Sequence, residues 1–132
     1  MFAASHPDNW NSGRPYSAAV VVGSTVYVSG HVPVDKDGRT TGDDTRDQTE
    51  HILRNIEKTL SSCGLTMGDV VATTVYLTDI TTMAALDEVY RSVFTASQFP
   101  TRTTVEVSAL GRAEFQVEIS AIACRGGAPD LD

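Results

Sequence analysis

Apolar and polar positions alternate with two different periods along this chain, and the switches between them mark its elements. Two short valine-rich segments, Ser17 to Val22 and Thr25 to Ser29, flank Gly23-Ser24, a two-residue connector of the kind that closes a tight hairpin. The second segment runs into Ser29-Gly30-His31-Val32-Pro33, where glycine permits unusual backbone angles and proline stops pairing, so His31 is expected at a sheet edge or rim. The period then changes. Ile52, Leu53, Ile56, Leu60 and Cys63 fall on one helical stripe opposite Glu50, Arg54, Glu57 and Lys58, with Glu50 and Arg54 at the spacing of an i,i+4 pair. Thr45 and Gln48 form a candidate capping box before that stripe, and Gly64 is a natural stop after it. Val70 to Leu77 is dense in Val, Thr and Tyr and predicts a strand buried on much of both faces. Met83, Leu86, Val89, Tyr90, Val93 and Phe94 predict a second amphipathic helix, starting after Asp79 or Thr82, whose stripe is core.

Beyond Phe99-Pro100 the period of two returns. Thr103, Val105 and Val107 alternate with Arg102, Thr104, Glu106 and Ser108; after a turn at Gly111-Arg112-Ala113, Phe115, Val117, Ile119 and Ala121 alternate with Gln116, Glu118, Ser120 and Ile122. These last two strands are expected to pair as a hairpin. The order strand, strand, helix, strand, helix, strand, strand predicts an α+β sandwich in which two helices cover one face of a mixed sheet. The other face, expected to carry Arg102, Thr104, Glu106, Glu118 and Ser120, has no further element to cover it, so self-association is expected. Residues 1–15 show no period and predict a flexible arm, 16–124 the folded domain, and 125–132 a mobile tail rich in Gly, Pro and Asp.

Composition narrows the classes of function. With 132 residues and 41% hydrophobic content, the chain suits one domain with a sizeable core. A formal net charge of -7 and the lack of any Lys/Arg run argue against nucleic acid or an anionic membrane as a partner. Neither a signal-peptide pattern nor an apolar run near the ~20 residues of a membrane span occurs, which points to the cytoplasm. Cys63 and Cys124 are too few for a disulfide framework and are expected as buried thiols. Asp35-Lys36-Asp37-Gly38 is a turn; read as a calcium loop it would put Arg46 where a bidentate glutamate is needed, so calcium is set aside. His6, His31 and His51 lack zinc-ligand spacing, and no Ser-His-acid set is evident.

Arg102 is the chemically distinctive position. A guanidinium at the mouth of a strand offers a planar fork that fits a small carboxylate, and the same pattern also suits an ordinary surface ion pair.

Five blocks taken together carry a resemblance: RPYSAAVVVGSTVYVSGHVP, DVVATTVYLTDITTM, LDEVYRSVF, FPTRTTVEV and VEISAIA. In this order, over Tyr16 to Ala123, they resemble the RidA (YjgF) family of enamine/imine deaminases. The resemblance implies a chorismate-mutase-like fold, a homotrimer with an inner barrel and clefts between subunits, and neither metal nor organic cofactor. It implies hydrolysis of 2-imino acids or their enamine tautomers to 2-oxo acids and ammonia. Residue by residue, Arg102 matches the arginine that holds the substrate carboxylate, with Thr104 beside it; Tyr16 and the Ser29-Gly30 turn match the cleft walls, and Glu118 matches the glutamate that positions water.

Two positions depart from the family pattern: His31 stands where SGQ is usual, and Ser120 where the last strand commonly has a second glutamate. Ser120 lies about 6.5 Å along the strand from Glu118 and removes a nearby charge. His31 adds a group that titrates near neutrality and could share the proton transfer, or it is an inert residue bonded to backbone. The departures leave room for a specialised enzyme acting on an unsaturated, nitrogen-bearing acid in the same cleft, and for a non-catalytic binding module for a small carboxylate. An endoribonuclease, a label some relatives carry, is disfavoured by the acidic balance.

Overall fold

In the computed structural model, which describes residues 3–5 and 13–126, the two periods become two layers. The strands are β1 (Ala3–Ser5), β2 (Ala19–Val22), β3 (Thr25–His31), β4 (Val70–Leu77), β5 (Thr101–Glu106) and β6 (Val117–Cys124); the long helices are α1 (Thr45–Ser62) and α2 (Met83–Val93). One mixed sheet runs in the order β1-β2-β3-β6-β4-β5. All neighbours are antiparallel except β4 and β5, which run parallel. The mixed α+β fold with two helices on one face is therefore as the periods predicted. The remainder of the arm and residues 127–132 of the tail lie outside the described residues.

Both helices pack on the same side of the sheet. Ile52, Leu53, Ile56 and Leu60 of α1 and Leu86, Val89 and Tyr90 of α2 meet Val26 and Val28 of β3, Val75 and Leu77 of β4, and Val117, Ile119 and Ala121 of β6 in one buried cluster. Fully burying such a side chain contributes about 1.5–3 kcal/mol, so this shared cluster is what orders the two layers. Gly64 ends α1 in the left-handed region, φ 75°, and the Leu65 N–H returns to the Leu60 carbonyl at 2.9 Å, as a helix stop of this kind requires.

Several local expectations are corrected. The N-cap of α1 is Asp44, whose side chain accepts from the Asp47 N–H at 2.8 Å; Thr45 and Gln48 are instead buried inside the first turn. Gln48 is drawn inward because its amide accepts from the Gln116 N–H at 2.7 Å and donates to the Gly42 and Glu114 carbonyls. Glu50 pairs with Arg46 at 3.0 Å rather than with Arg54, since Arg46 also reaches Glu88 at 3.3 Å and ties α1 to α2. β4 is buried at Val70, Thr73, Val75 and Leu77, with Ala72, Thr74 and Tyr76 half-buried on the other side. A strand also precedes Tyr16: Ala3–Ser5 extends the sheet beside β2.

The largest correction concerns β5. It does not form a hairpin with β6, because β6 lies between β3 and β4, and β5 is the edge strand beyond β4. In the parallel register Arg102 aligns with Thr73, Thr104 with Val75 and Glu106 with Leu77, and paired residues of a sheet share a face. Arg102, Thr104 and Glu106 therefore lie on the helix side. Glu118 and Ser120, aligned with Tyr76 and Thr74, lie on the opposite side. That uncovered face is also more apolar than expected, with Tyr27, Ile122 and Ala72 aligned in one row and Tyr76 and Val105 in another. Among the described residues no helix is long and apolar enough to cross a membrane.

Candidate active site

A cleft of about 900 Å³ opens where β3 ends and β6 begins, and it gathers Tyr16, Ser29, Gly30, His31 and Glu118. Residues some hundred positions apart in the chain meet because β3 and β6 are antiparallel neighbours. Between Val28 and His31 the register slips: these two residues align with Ala121 and Ile119, so three steps on β3 match two on β6. The bulge turns Gly30 toward Glu118. A Cβ at position 30 would lie 3.0 Å from Glu118 Cδ and 3.3 Å from Cγ, and would collide with the carboxylate oxygen Oε2. Only a glycine lets the backbone come so close.

Glu118 is half-buried and, among the described residues, has no hydrogen-bond or ion-pair partner. Burial alone pushes its carboxyl above the ordinary glutamate value, because loss of water disfavours the charged form. An unpaired carboxylate of raised proton affinity beside an open cleft can take a proton from water or return one. Ser29 supports the turn rather than the opening: its hydroxyl donates to the Ser17 carbonyl at 2.6 Å and its N–H to the Ala18 carbonyl at 2.9 Å. Tyr16 is half-exposed on the cleft wall.

His31 is not a rim residue. The bulge that presents Gly30 rotates His31 to the helix side, where it is 5% exposed. Its Nδ1 lies 2.7 Å from the Ser29 carbonyl and its Nε2 2.8 Å from Thr59 Oγ1. Since a carbonyl can only accept, Nδ1 carries the hydrogen and Nε2 accepts from Thr59 in the neutral ring. Burial, and secondarily the charge of Arg14, push the ring's proton affinity below the usual histidine value. Both nitrogens are thus committed to the scaffold, although one side of the ring borders the cleft.

Arg102 stands apart from Glu118, on the other face of the sheet. Its Nη1 lies 2.7 Å from Asp87 Oδ1, and its guanidinium sits 4.9 Å over the Tyr90 ring. Tyr90 is in turn held by a hydrogen bond between its hydroxyl and Thr73 Oγ1. The guanidinium lines a smaller pocket of about 240 Å³ with Phe99 and Pro100. Phe99 remains 46% exposed at its mouth. Thr104 and Ser120 line neither opening. Within one chain the candidate residues therefore fall into two separate groups, one around Glu118 and one around Arg102.

Sequence reasoning did not single out Arg14, Thr59, Arg112 or Phe115, which line the cleft, nor Asp87, the partner of Arg102. Arg14 follows directly from its place two residues before Tyr16. Thr59 and Asp87 meet their partners only through contacts between distant segments and carry no local signal, whereas Arg112 and Phe115 sit three residues apart in one turn.

This arrangement, a mixed sheet with helices on one face and a carboxylate in a cleft at the β3/β6 bulge, defines a class, and the comparisons with known proteins agree on which. The profile of the family described as Endoribonuclease L-PSP matches residues 8–125. A RutC family protein of Pyrococcus horikoshii is 40% identical over 110 residues, covering 83% of this chain and 86% of that protein. A 2-iminobutanoate/2-iminopropanoate deaminase of Salmonella typhimurium is 36% identical over 113 residues, covering 84% and 88%. Among solved structures, Escherichia coli TdcF with bound serine superposes with a TM-score of 0.78 at 36% identity, over 86% of this chain and 90% of that one. The chain belongs to this family, the RidA/YjgF group that its five sequence blocks resemble.

Proposed function

We propose that the protein hydrolyses 2-imino acids and their enamine tautomers to 2-oxo acids and ammonia. The observation that carries this reading is Glu118: a half-buried, unpaired carboxylate of raised proton affinity, facing a cleft that Gly30 keeps open. The similarity to a 2-iminobutanoate/2-iminopropanoate deaminase supports the reaction class. In the proposed step Glu118 accepts a proton from water as its oxygen bonds to the imine carbon. The imine nitrogen takes up that proton to give the carbinolamine; the carbinolamine hydroxyl proton then passes by way of Glu118 to the nitrogen as the C–N bond breaks, so that ammonia leaves and the carbonyl of the 2-oxo acid forms. No redox partner is needed. Tyr16 and the Ser29-Gly30 backbone give the cleft its shape, and His31 acts as scaffold rather than as a second base.

A carboxylate substrate also needs an anchor, and Arg102 has the fork geometry for one. Its position on the helix side of an edge strand motivates the second part of the proposal: three copies associate through the uncovered sheet faces, so that Arg102 of one copy enters the Glu118 cleft of another. Tyr27, Ile122, Tyr76 and Val105 supply apolar area for that contact. Fixing the substrate between a two-pronged anchor and a base supplies orientation, an effective contribution to a hydrolysis that already proceeds in water.

Glu118→Gln tests the base. It keeps the shape and removes the basicity, so turnover of 2-iminobutyrate, generated in situ by an amino-acid oxidase and trapped with semicarbazide, should fall ~10²- to 10⁴-fold. Binding of 2-oxobutyrate should change little. A folded, fully active Glu118→Gln would rule out the assigned base, and natural protein without imine turnover would favour the specialised-enzyme or binding-module reading.

A further inference from the structure

The cleft that presents Glu118 carries cations that a monocarboxylic substrate held by Arg102 would leave unused: Arg14, Lys36 and Arg112. Arg112 is held in place on the cleft wall. Its guanidinium lies 5.2 Å over the ring of Phe115, which is 4% exposed and therefore fixed. Nη1 donates to Thr40 Oγ1 at 3.1 Å, and the Thr40 hydroxyl donates onward to Glu114 Oε1 at 2.8 Å. Stacking uses the face of a guanidinium and leaves its edge donors available. Among the described residues Arg112 makes no ion pair, and only one of its five donors is engaged. An arginine held by ring and hydroxyl, yet with most of its donors unspent on a cleft wall, is suited to receive an anionic group.

Among the described residues, none of the acidic groups on the same wall forms an ion pair with Arg112. Asp35 spends one carboxylate oxygen on the Asp37 and Arg39 N–H groups, both at 2.9 Å. Asp37 belongs to the same turn. Glu114 feels the charge of Arg112 but meets it only through Thr40.

We infer that the cleft prefers 2-imino acids whose side chain ends in a second carboxylate, with Arg112 as the residue that reads it. This rests on the deaminase reading above and adds the substrate class. The first carboxylate goes to Arg102, the imine carbon to the water held by Glu118, and the distal carboxylate to the edge of Arg112.

The test compares 2-iminoglutarate with 2-iminobutyrate, each generated in situ by an amino-acid oxidase under semicarbazide competition. Wild-type kcat/KM should be roughly 10- to 100-fold higher on the dicarboxylic imine, the range expected for one charged hydrogen-bonded contact. Arg112→Gln should erase most of that ratio, chiefly through KM, and Arg112→Lys should restore it only in part. If Arg112→Gln does not fold, calorimetry on the wild type decides: 2-oxoglutarate should bind more tightly than 2-oxobutyrate by a similar factor. Turnover of both imines with no preference, or a preference untouched by Arg112→Gln, overturns this inference and leaves the deaminase reading standing. Equal affinity for the two oxo acids likewise overturns it. Turnover of neither imine removes the deaminase reading itself, and the substrate class with it.

Discussion

Gly30→Ala isolates the contact on which the cleft depends. Gly30 is not among the glycines with positive φ, so alanine can adopt its backbone conformation without strain. The whole effect then comes from one methyl group. Ordinary carbon–carbon contact begins at about 3.5 Å, whereas the new Cβ would stand 3.0 Å from Glu118 Cδ and nearer still to Oε2. The carboxyl carbon must retreat by about half an ångström and the oxygen by about one. A glutamate on a half-exposed strand position can make that move, so the fold should survive. Overpacking costs at the low end of ~1–3 kcal/mol, offset in part by the ~0.4–1 kcal/mol that alanine contributes by restricting the unfolded chain. Catalysis should not survive as well, because a misplacement of about 1 Å can cost roughly 10²-fold. The expected result is a melting temperature within a few degrees of the wild type and imine turnover reduced about 100-fold, measured by semicarbazide trapping. A stable Gly30→Ala protein with wild-type turnover would show that the position of the Glu118 carboxylate does not matter, and would refute the assignment of the site.

Arg102→Ala and Arg102→Lys should both weaken 2-oxobutyrate binding in calorimetry, by about 1.5–3 kcal/mol for the loss of a charged two-pronged partner; unchanged affinity in both would exclude Arg102 as the anchor. His31 predicts a pH effect on stability. Its folded proton affinity lies below the ordinary histidine value of 6.5, so as pH falls the unfolded chain is protonated first. The stabilisation is full above about pH 6.5 and is lost below it, toward the depressed folded value. His31→Gln should flatten that decline in thermal melts between pH 7 and 5, and an unaltered slope would mean that His31 is not its source. Val105→Glu, which puts a charge on the uncovered apolar face, should convert particles of about three times the 14.1 kDa subunit mass to monomers in light scattering. Wild-type protein that is monomeric at micromolar concentration would leave Arg102 without a route to Glu118.

The elements were legible in the sequence because their periods are local properties. The stripe Ile52, Leu53, Ile56, Leu60 and the alternation from Val117 to Ala123 say which side of each element is buried, whatever lies against it. The motif blocks likewise led to Glu118 and to the Ser29-Gly30 turn. What lies between elements was not legible. Alternation places Arg102 and Glu118 each on a polar side of its own strand, but only the sheet order decides whether those sides coincide. Insertion of β6 between β3 and β4, with β5 parallel at the edge, puts them on opposite faces. His31 was misplaced for a related reason. Strict alternation from the buried Val28 would turn it outward, and the extra residue in the β3 bulge, which depends on pairing with β6, turns it in toward Thr59. The partner of Arg102, Asp87, came only with packing, because side chains that meet across elements leave no period in the chain.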